Sequence, residues 1–366
     1  MSNLIKSTRI VLKNAVVGGL TLEFNQPDST FAIESVELDP RNLQPDEILV
    51  KTLYLSNDPM QRGFIDKGAI PSSHLPAVKE GDIVVSLALV EVVATGTTKY
   101  KVGDILHGMF AWADYAISKE SVVYNAIDPS FGVPLPFHLS LLGMTSVTAY
   151  FGLVGAGKLK VPATDSTEKG LTVAISAASG ATGSIAVQLS KHVFGASKVI
   201  AVTGSDEKVK WVKSIGADFA VSYNDPDYQQ KLSDYIGEDF IDLYFDIAGG
   251  EILSYFLTKV KRFGHVVACG AIAGHNDPQK GKVGNWADVI RNSLTITGFN
   301  LSTYADRYPE GIAALVAAIK SNKISVDGFH VEDISNKENK LELVPGIWNQ
   351  LFGSTKPNGK LITKLS

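Results

Sequence analysis

The pattern of apolar and polar positions divides the chain into three stretches. In the first stretch, short β-rich runs at residues 9–12, 47–54, 82–93 and 115–124 are separated by turns rich in Gly, Pro, Asn and Asp. Short strands at this spacing predict a compact antiparallel or barrel-like domain. The pattern changes near residue 140 and again near residue 325, after which strand-like and loop segments return.

The middle stretch alternates apolar strands with helical segments. The pattern predicts strands at residues 171–176, 198–203, 219–223, 241–247, 265–271 and 294–299, and helices at residues 184–193, 207–215, 251–261 and 311–320. This alternation indicates a parallel sheet with helices on both faces, and six strands match a doubly wound Rossmann nucleotide domain. We therefore predict an α/β protein in which a Rossmann domain, residues 141–324, is inserted into a β-rich barrel domain, residues 1–140 and 325–366.

A glycine turn joins the first strand of the middle stretch to its first helix. The turn consists of Ser179, Gly180, Ala181, Thr182 and Gly183. Gly180 would let the backbone approach a pyrophosphate on the helix N-terminus, and Gly183 would let the helix pack closely on the strand. The first glycine of the usual pattern is Ala178 here, so a plain tight turn is the alternative to a dinucleotide site.

The second strand of the middle stretch ends without the acidic residue that would hold the ribose hydroxyls of NAD. Gly204 leaves room there, Ser205 can donate a hydrogen bond, and Lys208 could reach a phosphate from the next helix. These residues predict NADPH as cofactor, and Tyr223 after the third strand could flank the same pocket. In the alternative interpretation Lys208 is a solvated helix lysine, Asp206 only caps the helix, and Tyr223 is a core residue.

Small residues also follow the fourth and fifth predicted strands. Gly249 and Gly250 follow Asp246, and Cys269, which we place among the cofactor-binding residues, precedes another glycine. Ligands of open parallel sheets bind at this edge. Residues 273–288 show little periodicity and predict a loop over the nicotinamide end, with a surface insertion as the alternative.

Composition and charge exclude several classes of protein. The chain has 366 residues with 34 Lys and Arg against 38 Asp and Glu, a net charge of −4, which gives no indication of nucleic-acid binding. Its single cysteine cannot form an internal disulfide, a cysteine-rich zinc site or a CxxC redox centre. The apolar runs are shorter than the roughly 18 residues of a membrane span, and no signal-peptide pattern is visible, so we expect a cytoplasmic protein without a membrane segment.

The histidines do not predict a metal site. His74, His107 and His138 lie in the first domain without the spacing of metal ligands, and each is interpreted as a surface or hydrogen-bonded residue. The G-x-S-x-G elbow of serine hydrolases and the Walker phosphate loop are missing as well. We therefore expect a site that uses neither a metal nor a nucleophile, with a metal site of histidine and carboxylate ligands as the alternative.

Seven short motifs carry a resemblance to a known family. They are residues 55–63 (LSNDPMQRG), 143–152 (GMTSVTAYFG), 177–183 (AASGATG), 204–208 (GSDEK), 245–250 (FDIAGG), 269–272 (CGAI) and 358–360 (NGK). With these motifs the chain resembles the zinc-independent part of the medium-chain dehydrogenase/reductase superfamily, and within it the prostaglandin reductases and plant 2-alkenal reductases. The motifs together cover nearly the whole length.

This resemblance implies a GroES-like substrate domain built from both ends of the chain, a Rossmann domain between them, NADPH as cofactor and a homodimer. It also implies reduction of the carbon-carbon double bond of a small α,β-unsaturated ketone or aldehyde. By matched motif, Lys208 and Tyr223 would hold the 2′-phosphate of NADPH, and the turn at residues 180–183 would lie under the pyrophosphate. Asn358 would approach the cofactor.

Two positions depart from the family pattern. The family sequence Asp-Pro-Tyr-Met-Arg reads DPMQR at residues 58–62, so a flexible thioether replaces an aromatic ring of the cleft. His275 stands where the branch commonly has a tyrosine near the nicotinamide ribose. We take His275 as the first candidate for the donor that stabilises the developing enolate and Tyr54 as the second. A surface loop histidine and a core tyrosine are the alternatives.

Three functions are compatible with these residues. The leading hypothesis is an NADPH-dependent, metal-independent enone or alkenal reductase. An NADPH-dependent quinone oxidoreductase would use the same scaffold and cofactor for a flat quinone. A catalytically weak NADPH-sensing binding protein is the third hypothesis, because positions 60 and 275 depart from the family pattern.

Overall fold

The computed structural model describes residues 4–68, 77–161, 170–353 and 356–366 of the chain. The chain divides into two compact units. The first unit comprises Met1–Leu139, His330–Pro357 and Leu361–Ser366, and the second comprises Ser140–Phe329 and Asn358–Lys360. The domain limits expected from the sequence, residues 1–140 with 325–366 and residues 141–324, stay a prediction.

The described residues form fifteen strands. They are β1 (Ile5–Leu12), β2 (Phe31–Leu38), β3 (Glu47–Ser56), β4 (Val85–Thr95), β5 (Ile105–Ala111), β6 (Tyr115–Lys119), β7 (Val123–Ala126), β8 (Thr172–Ile175), β9 (Lys198–Thr203), β10 (Phe219–Ser222), β11 (Ile241–Asp246), β12 (Val260–Ala268), β13 (Thr295–Gly298), β14 (Phe329–Asp333) and β15 (Lys360–Lys364). Strands β8 to β13 come from the middle stretch of the chain, and the others come from its two ends.

Nine α-helices lie within the described residues. They are α1 (Gln61–Phe64), α2 (Met144–Phe151), α3 (Ala181–Gln188), α4 (Asp206–Ser214), α5 (Tyr228–Ile236), α6 (Gly250–Leu257), α7 (Ala287–Arg291), α8 (Tyr308–Lys320) and α9 (Lys340–Asn349). Helices α2 and α3 continue into the π-helical turns Gly152–Ala156 and Leu189–Val193. No helix in the described ranges combines the length and the apolar character that crossing a membrane requires.

The strands from the two ends of the chain build an antiparallel sheet. Its order is β14-β15-β3-β4-β5-β7, with β6 paired to β3, while β1 and β2 form a separate antiparallel pair. The buried aromatic residues Phe31, Phe110, Trp112 and Trp348 lie in the core of this unit. The indole Nε1 of Trp348 donates to the carbonyl of Asp58 over 3.0 Å. This β-rich, barrel-like unit confirms one half of the predicted fold.

The six strands of the middle stretch form one parallel sheet. Its order is β10-β9-β8-β11-β12-β13, so the direction of winding reverses between β8 and β11. Such an order defines a doubly wound Rossmann sheet, in which ligands bind outside the carboxyl ends of the strands at the reversal. Val173, Ile200 and Phe245 are fully buried, because helices cover both faces of the sheet. The structure confirms the predicted Rossmann part.

Two segments differ from the sequence-based expectation. Residues 340–349, expected as strand or loop, form α9, although Pro345 lies inside the helix. Pro345 removes one backbone donor, but the buried stripe that includes Leu341, Val344 and Trp348 stabilises the helix against the core. The helix expected at residues 251–261 ends earlier, at Leu257, because the buried end of β12 begins three residues later.

Candidate active site

The glycine turn follows β8 and begins α3. Gly180 is the N-cap of α3, and no side chain caps this helix. The amide of Ser184 donates to the carbonyl of Gly180 over 2.9 Å, which starts the helical ladder. The amides of Ala181, Thr182 and Gly183 precede that bond and have no acceptor inside the helix. Three backbone donors and the positive end of the helix dipole are therefore available to an anion.

Close packing explains the last glycine of this turn. A Cβ atom at Gly183 would lie 2.4 Å from the carbonyl oxygen of Ala177 and 2.8 Å from the Cα of Ala178. Both neighbours are backbone atoms, so any larger residue would force α3 away from β8. At Gly180 the same construction meets only the oxygen of Ala177, at 3.3 Å. The packing role expected for Gly183 is therefore visible in the structure.

Hydrogen bonds from two distant segments hold the turn in place. Thr203 at the end of β9 donates from Oγ1 to the Oγ of Ser179 over 2.6 Å. The amide of Gly359 donates to the carbonyl of Ser179 over 2.8 Å, and Gly359 forms a parallel bridge with Gly180. Asn358, the preceding residue, therefore belongs to the same unit as the turn and lies next to it.

The end of β9 brings together the four residues expected at the adenosine phosphate. A Cβ atom at Gly204 would lie 3.0 Å from the hydroxyl oxygen of Tyr223, so the phenol ring fills the space that glycine leaves. The Oγ of Ser205 accepts from the amide of Lys208 over 3.3 Å and caps α4. This cap leaves the hydroxyl proton of Ser205 available to another acceptor. The cap is Ser205, and Asp206 is the first residue of the helix.

Lys208 supplies the electrostatics of this group. Its side chain lies on α4 with 8% of the residue exposed, and it forms no salt bridge with any residue in the described ranges. Burial lowers the pKa of Lys208, because desolvation disfavours the charged ammonium. A buried cation is stabilised when an anion pairs with it. The group therefore fits a dianionic phosphate such as the 2′-phosphate of NADPH.

The other side of the reversal carries a buried carboxylate. Asp246 ends β11, and its Oδ1 accepts from the hydroxyls of Ser176 and Tyr244 over 3.0 and 2.7 Å. The same oxygen accepts from the amides of Ala248 and Gly249 over 3.2 and 3.0 Å. These bonds order the turn at which α6 begins.

Two 3₁₀ turns, Ile272–Gly274 and Pro278–Gly281, form part of the segment expected to be a loop. The amide of Ala273 donates to the carbonyl of Ala248 over 3.0 Å. A Cβ atom at Gly250 would lie 2.1 Å from the carbonyl oxygen of Lys280. The segment therefore packs on the turn after β11. His275, which is half-buried, directly follows the first of its two 3₁₀ turns.

Cys269 follows the last residue of β12, outside the strand in which the sequence had placed it. Its amide donates to the carbonyl of Asp246 over 2.8 Å. Burial, followed by the negative charge of Asp246, raises the pKa of the Cys269 thiol to about 12. The side chain is therefore a neutral thiol beside the carboxylate at this edge of the sheet.

Tyr54 lies in the first unit, on β3, opposite Leu89 on β4 and Lys364 on β15. Its side chain is half-buried, and its hydroxyl forms no hydrogen bond with the described residues. Tyr54 and His275 belong to different units. Each is thus a separate candidate donor, and their roles stay predictions.

The motif at residues 58–62 is mainly structural. The hydroxyl of Ser56 donates to Oδ2 of Asp58 over 2.5 Å. The guanidinium of Arg62 is buried and donates to Asp66 over 2.5 Å and to the carbonyl of Gly18 over 2.6 Å. Met60, in contrast, is 44% exposed. The thioether that replaces the family tyrosine is therefore the accessible part of this motif.

Of the histidines considered as metal ligands, His107 and His138 lie in the described ranges, and His74 lies outside them. His107 on β5 is buried beside Asn125, with 3.2 Å between Nδ1 and the Oδ1 atom. Burial lowers the pKa of His107 to about 4, so the imidazole is neutral near pH 7. His138 is half-buried. Within the described residues, no group of three or more His, Cys, Asp or Glu side chains could hold a metal ion.

Sequence reasoning missed the bond between Ser176 and Asp246. The two residues are 70 positions apart and meet only because β8 and β11 are neighbours at the reversal. A signal was present, since Ser176 directly follows the apolar run of β8 and Asp246 is the last residue of β11.

Two family models match the chain. Residues 10–125 match the N-terminal domain of oxidoreductase, and residues 181–318 match the zinc-binding dehydrogenase model. A solved structure of CurA from Vibrio vulnificus in complex with NADPH has a TM-score of 0.81 at 24% identity and covers 98% of this chain and 99% of its own. A quinone oxidoreductase from Escherichia coli, complexed with NADPH, has a TM-score of 0.69 at 18% identity and covers 98% and 99%. These structures share the fold.

Curated relatives match most or all of the chain. A protein of Saccharomyces cerevisiae named as an uncharacterized membrane protein is 33% identical over 97% of this chain and 97% of its own. The NADP(+)-dependent 2-alkenal reductase of Nicotiana tabacum is 30% identical over 100% of this chain and 99% of its own. Prostaglandin reductase 1 of Bos taurus is 33% identical over 68% and 69%. The chain therefore belongs to the medium-chain dehydrogenase/reductase superfamily, in the branch of the 2-alkenal and prostaglandin reductases.

Proposed function

We propose that this protein reduces the carbon-carbon double bond of α,β-unsaturated ketones and aldehydes with NADPH. As a member of its family the chain is an NADP-dependent oxidoreductase. The choice of an enone or alkenal as substrate is the proposed part. It is supported by the full-length similarity to a protein named 2-alkenal reductase.

One observation carries the cofactor side of this proposal. Lys208 is buried on α4, and its ammonium forms no salt bridge with the residues that the structure describes. Gly204, Ser205 and Tyr223 surround the same strand end. A phosphate at this point would pair with the ammonium and accept from the hydroxyl of Ser205. NAD(H) has no phosphate there, so the group favours NADP(H).

The reaction places limited demands on the protein. NADPH, when bound, supplies the hydride for the β carbon of the substrate. The protein must orient the substrate and donate a hydrogen bond to the carbonyl oxygen as negative charge develops on it. His275 and Tyr54 are the candidate donors that we propose. Neither task requires a nucleophile or a metal.

The test is NADPH oxidation against matched acceptors of similar size: a 2-alkenal, an α,β-unsaturated ketone, a quinone and the saturated aldehyde. We expect turnover of the first two, formation of the saturated carbonyl product, and no reaction with the saturated aldehyde. Turnover of the quinone alone would replace this proposal by a quinone oxidoreductase. Tight binding of NADPH without turnover of any acceptor would indicate the cofactor-sensing alternative.

Two variants separate the candidate donors. A residue that donates to the developing enolate should lower kcat by at least about tenfold when its donor is removed, with little effect on NADPH affinity. His275→Phe and Tyr54→Phe make this change at the two positions. His330→Phe, at an exposed histidine, is the matched control. Equal kcat for all three variants would exclude both residues as donors.

We also propose a homodimer in the cytoplasm. Strand β13 is the end strand of the parallel sheet, and the exposed Trp286 and Ile290 come shortly before it. An edge strand beside exposed apolar side chains is a common surface for pairing with a second copy. Cys269 is a free thiol, which fits a reducing compartment. Sedimentation of the wild-type protein and of Ile290→Glu tests the dimer, which the charge should dissociate.

A further inference from the structure

The reversal of the parallel sheet is bridged by a single side-chain hydrogen bond. Ser176 directly follows β8, Asp246 ends β11, and the serine hydroxyl donates to the carboxylate over 3.0 Å. Both residues are buried, with exposures of 0% and 1%. A negative charge thus lies beneath the edge at which a doubly wound sheet binds its dinucleotide.

The hydrogen-bond donors to Asp246 are neutral groups. Two hydroxyls, from Ser176 and Tyr244, and two amides, from Ala248 and Gly249, converge on its Oδ1 atom. Among the described residues, no lysine or arginine forms a salt bridge with it. Asp246 is therefore a buried carboxylate held by dipoles and without a countercharge.

Burying the Asp246 carboxylate without a countercharge destabilises the folded protein unless a cation pairs with it. Burial raises the pKa of Asp246, while its four hydrogen bonds favour the ionised form. A carboxylate buried in a polypeptide normally pairs with a cation or becomes protonated. The described protein residues supply no such cation, so a ligand of this edge can supply it.

The cofactor becomes a cation on one side of its reaction. Lys208 lies on the β9 side of the reversal and fits the adenosine phosphate, so the nicotinamide half belongs on the side of β11. The nicotinamide ring is neutral in NADPH and carries a positive charge in NADP⁺. A fixed negative charge on this side distinguishes the two forms by electrostatics alone.

We propose that the Asp246 carboxylate makes the site bind NADP⁺ more tightly, relative to NADPH, than the same site would without this charge. Asp246 acts through its negative charge and not as a proton donor or acceptor. The proposal rests on the cofactor named under the proposed function. Transfer of a hydride, one proton with two electrons, from NADPH to the β carbon of the acceptor would form NADP⁺, so a carboxylate that stabilises the oxidised cofactor favours this direction.

The experiment measures dissociation constants of NADP⁺ and NADPH without any acceptor, in the wild type and in Asp246→Asn. The side-chain amide of asparagine keeps an oxygen at the Oδ1 position, which can accept from the four donors, and removes only the negative charge. We expect the ratio Kd(NADP⁺)/Kd(NADPH) to rise by about tenfold, the order of magnitude expected for loss of one charge inside a protein. For the two-electron couple this corresponds to about 30 mV.

Asp242→Asn is the matched control. Asp242 lies on the same strand at its opposite end, where its Oδ2 accepts from the amide of Thr172 over 2.7 Å and its Oδ1 pairs with Lys261. This variant makes the same chemical change away from the ligand edge. We expect its ratio to equal that of the wild type.

The pH dependence of the wild-type ratio gives a second measurement that needs no variant. Protonation of Asp246 removes its charge, so the ratio should rise as the pH is lowered below neutral. Tyr244 and Cys269 face the carboxylate, and burial raises the pKa of both, so neither changes its charge in this range. The 2′-phosphate is common to both cofactor forms, so its titration cancels in the ratio.

The outcomes separate this proposal from the proposed function. A ratio that is unchanged in Asp246→Asn, or a wild-type ratio that falls as pH decreases, overturns the role of Asp246 and leaves the reductase intact. A proportional loss of both affinities in Asp246→Asn has the same meaning, because it reports a structural role only. Failure of the wild type to bind either cofactor form overturns the cofactor assignment together with this proposal.

Discussion

The two halves of the parallel sheet bury opposite charges at the same edge. On the side of β9, Lys208 is buried and its ammonium forms no salt bridge in the described part of the chain. On the side of β11, the carboxylate of Asp246 is buried and has no cationic partner there. Apart, each charge destabilises the folded protein. Together they are complementary to one ligand that carries an anion at one end and a cation at the other.

The halves also differ in how firmly they hold their charge. Lys208 carries its ammonium on a flexible four-carbon stem and is bonded to Ser205 only through its backbone amide. Asp246 has a short side chain that four donors fix. The comparison teaches that the phosphate end can adapt to its ligand, whereas the nicotinamide end is preorganised. Four experiments test this comparison.

The largest effect is expected at Cys269, which reports the charge of Asp246 directly. Its pKa of about 12 leaves roughly a thousandfold less thiolate at pH 8 than a free cysteine has. Iodoacetamide should therefore label the folded protein at least about a thousand times more slowly than the urea-unfolded chain. Mass spectrometry measures both rates.

Asp246→Asn should accelerate this labelling, because the charge that raises the thiol pKa is removed. Asp242→Asn is the control and should leave the rate unchanged. If both variants label at the wild-type rate, Asp246 is already neutral and the comparison between the two halves fails.

His107, in the other unit, provides a contrast to Lys208 and Asp246. It is also a buried titratable group, but it is neutral and we propose no ligand for it. Its pKa is about 4 in the folded protein and about 6.5 when unfolded. The unfolded chain therefore binds the additional proton, and stability falls as pH decreases from about 6.5 to 4. The loss amounts to about 3 kcal/mol. Urea unfolding of the wild type at these pH values measures it.

The substitution His107→Gln should remove most of this acid-dependent loss. His330→Gln, at an exposed histidine of the same unit, should leave it in place. The role of His107 is refuted when its variant follows the same acid profile as the wild type.

Lys208→Met tests the phosphate end. We expect the Kd for NADPH to rise by about 50-fold while the Kd for NADH changes little, because a charge-assisted bond to phosphate contributes about 2 kcal/mol. The apoprotein should not lose stability, since methionine replaces a buried and unpaired ammonium. Fluorescence titration measures the affinities.

Lys210→Met on the same helix is the control, because Lys210 is exposed. It should bind both cofactors as the wild type does. Equal losses for NADPH and NADH in Lys208→Met would show that Lys208 does not contact the 2′-phosphate.

The smallest effect is expected at Ser205, which serves both the helix and the proposed phosphate. Ser205→Ala removes the cap of α4 and should lower the free energy of unfolding by about 1 kcal/mol. Ser214→Ala at the far end of α4 should cost less than about 0.5 kcal/mol. Thermal unfolding distinguishes the two, and equal losses would contradict the capping role.

Apolar strand patterns were sufficient to predict the parallel sheet. Strands such as β9 and β11 are buried on both faces, so they stand out as short apolar runs between helical segments. The residues proposed to bind the phosphate could be predicted for the same reason, since Gly204, Ser205 and Lys208 follow the end of a strand. Local sequence is enough where chemistry lies next to a recognisable element.

The rest depended on contacts that local sequence does not contain. The bond between Ser176 and Asp246 requires knowledge that β8 and β11 are neighbours, and α9 requires the core that stabilises a helix around Pro345. His275 and Tyr54 come from separate units, so no local pattern indicates whether either reaches the substrate. The proton donor of the reaction is therefore the part of the site that only experiment can assign.

Gly359 has a consequence for how the protein is made. It has a positive φ of 68°, and a Cβ atom there would lie 2.0 Å from the carbonyl oxygen of Gly328. Through its amide it also holds Ser179 in the glycine turn. During synthesis the turn leaves the ribosome long before Gly359 does. In the nascent chain the glycine turn therefore lacks the hydrogen bond from Gly359 until that residue has emerged. The ability to bind a dinucleotide should be acquired only after this point.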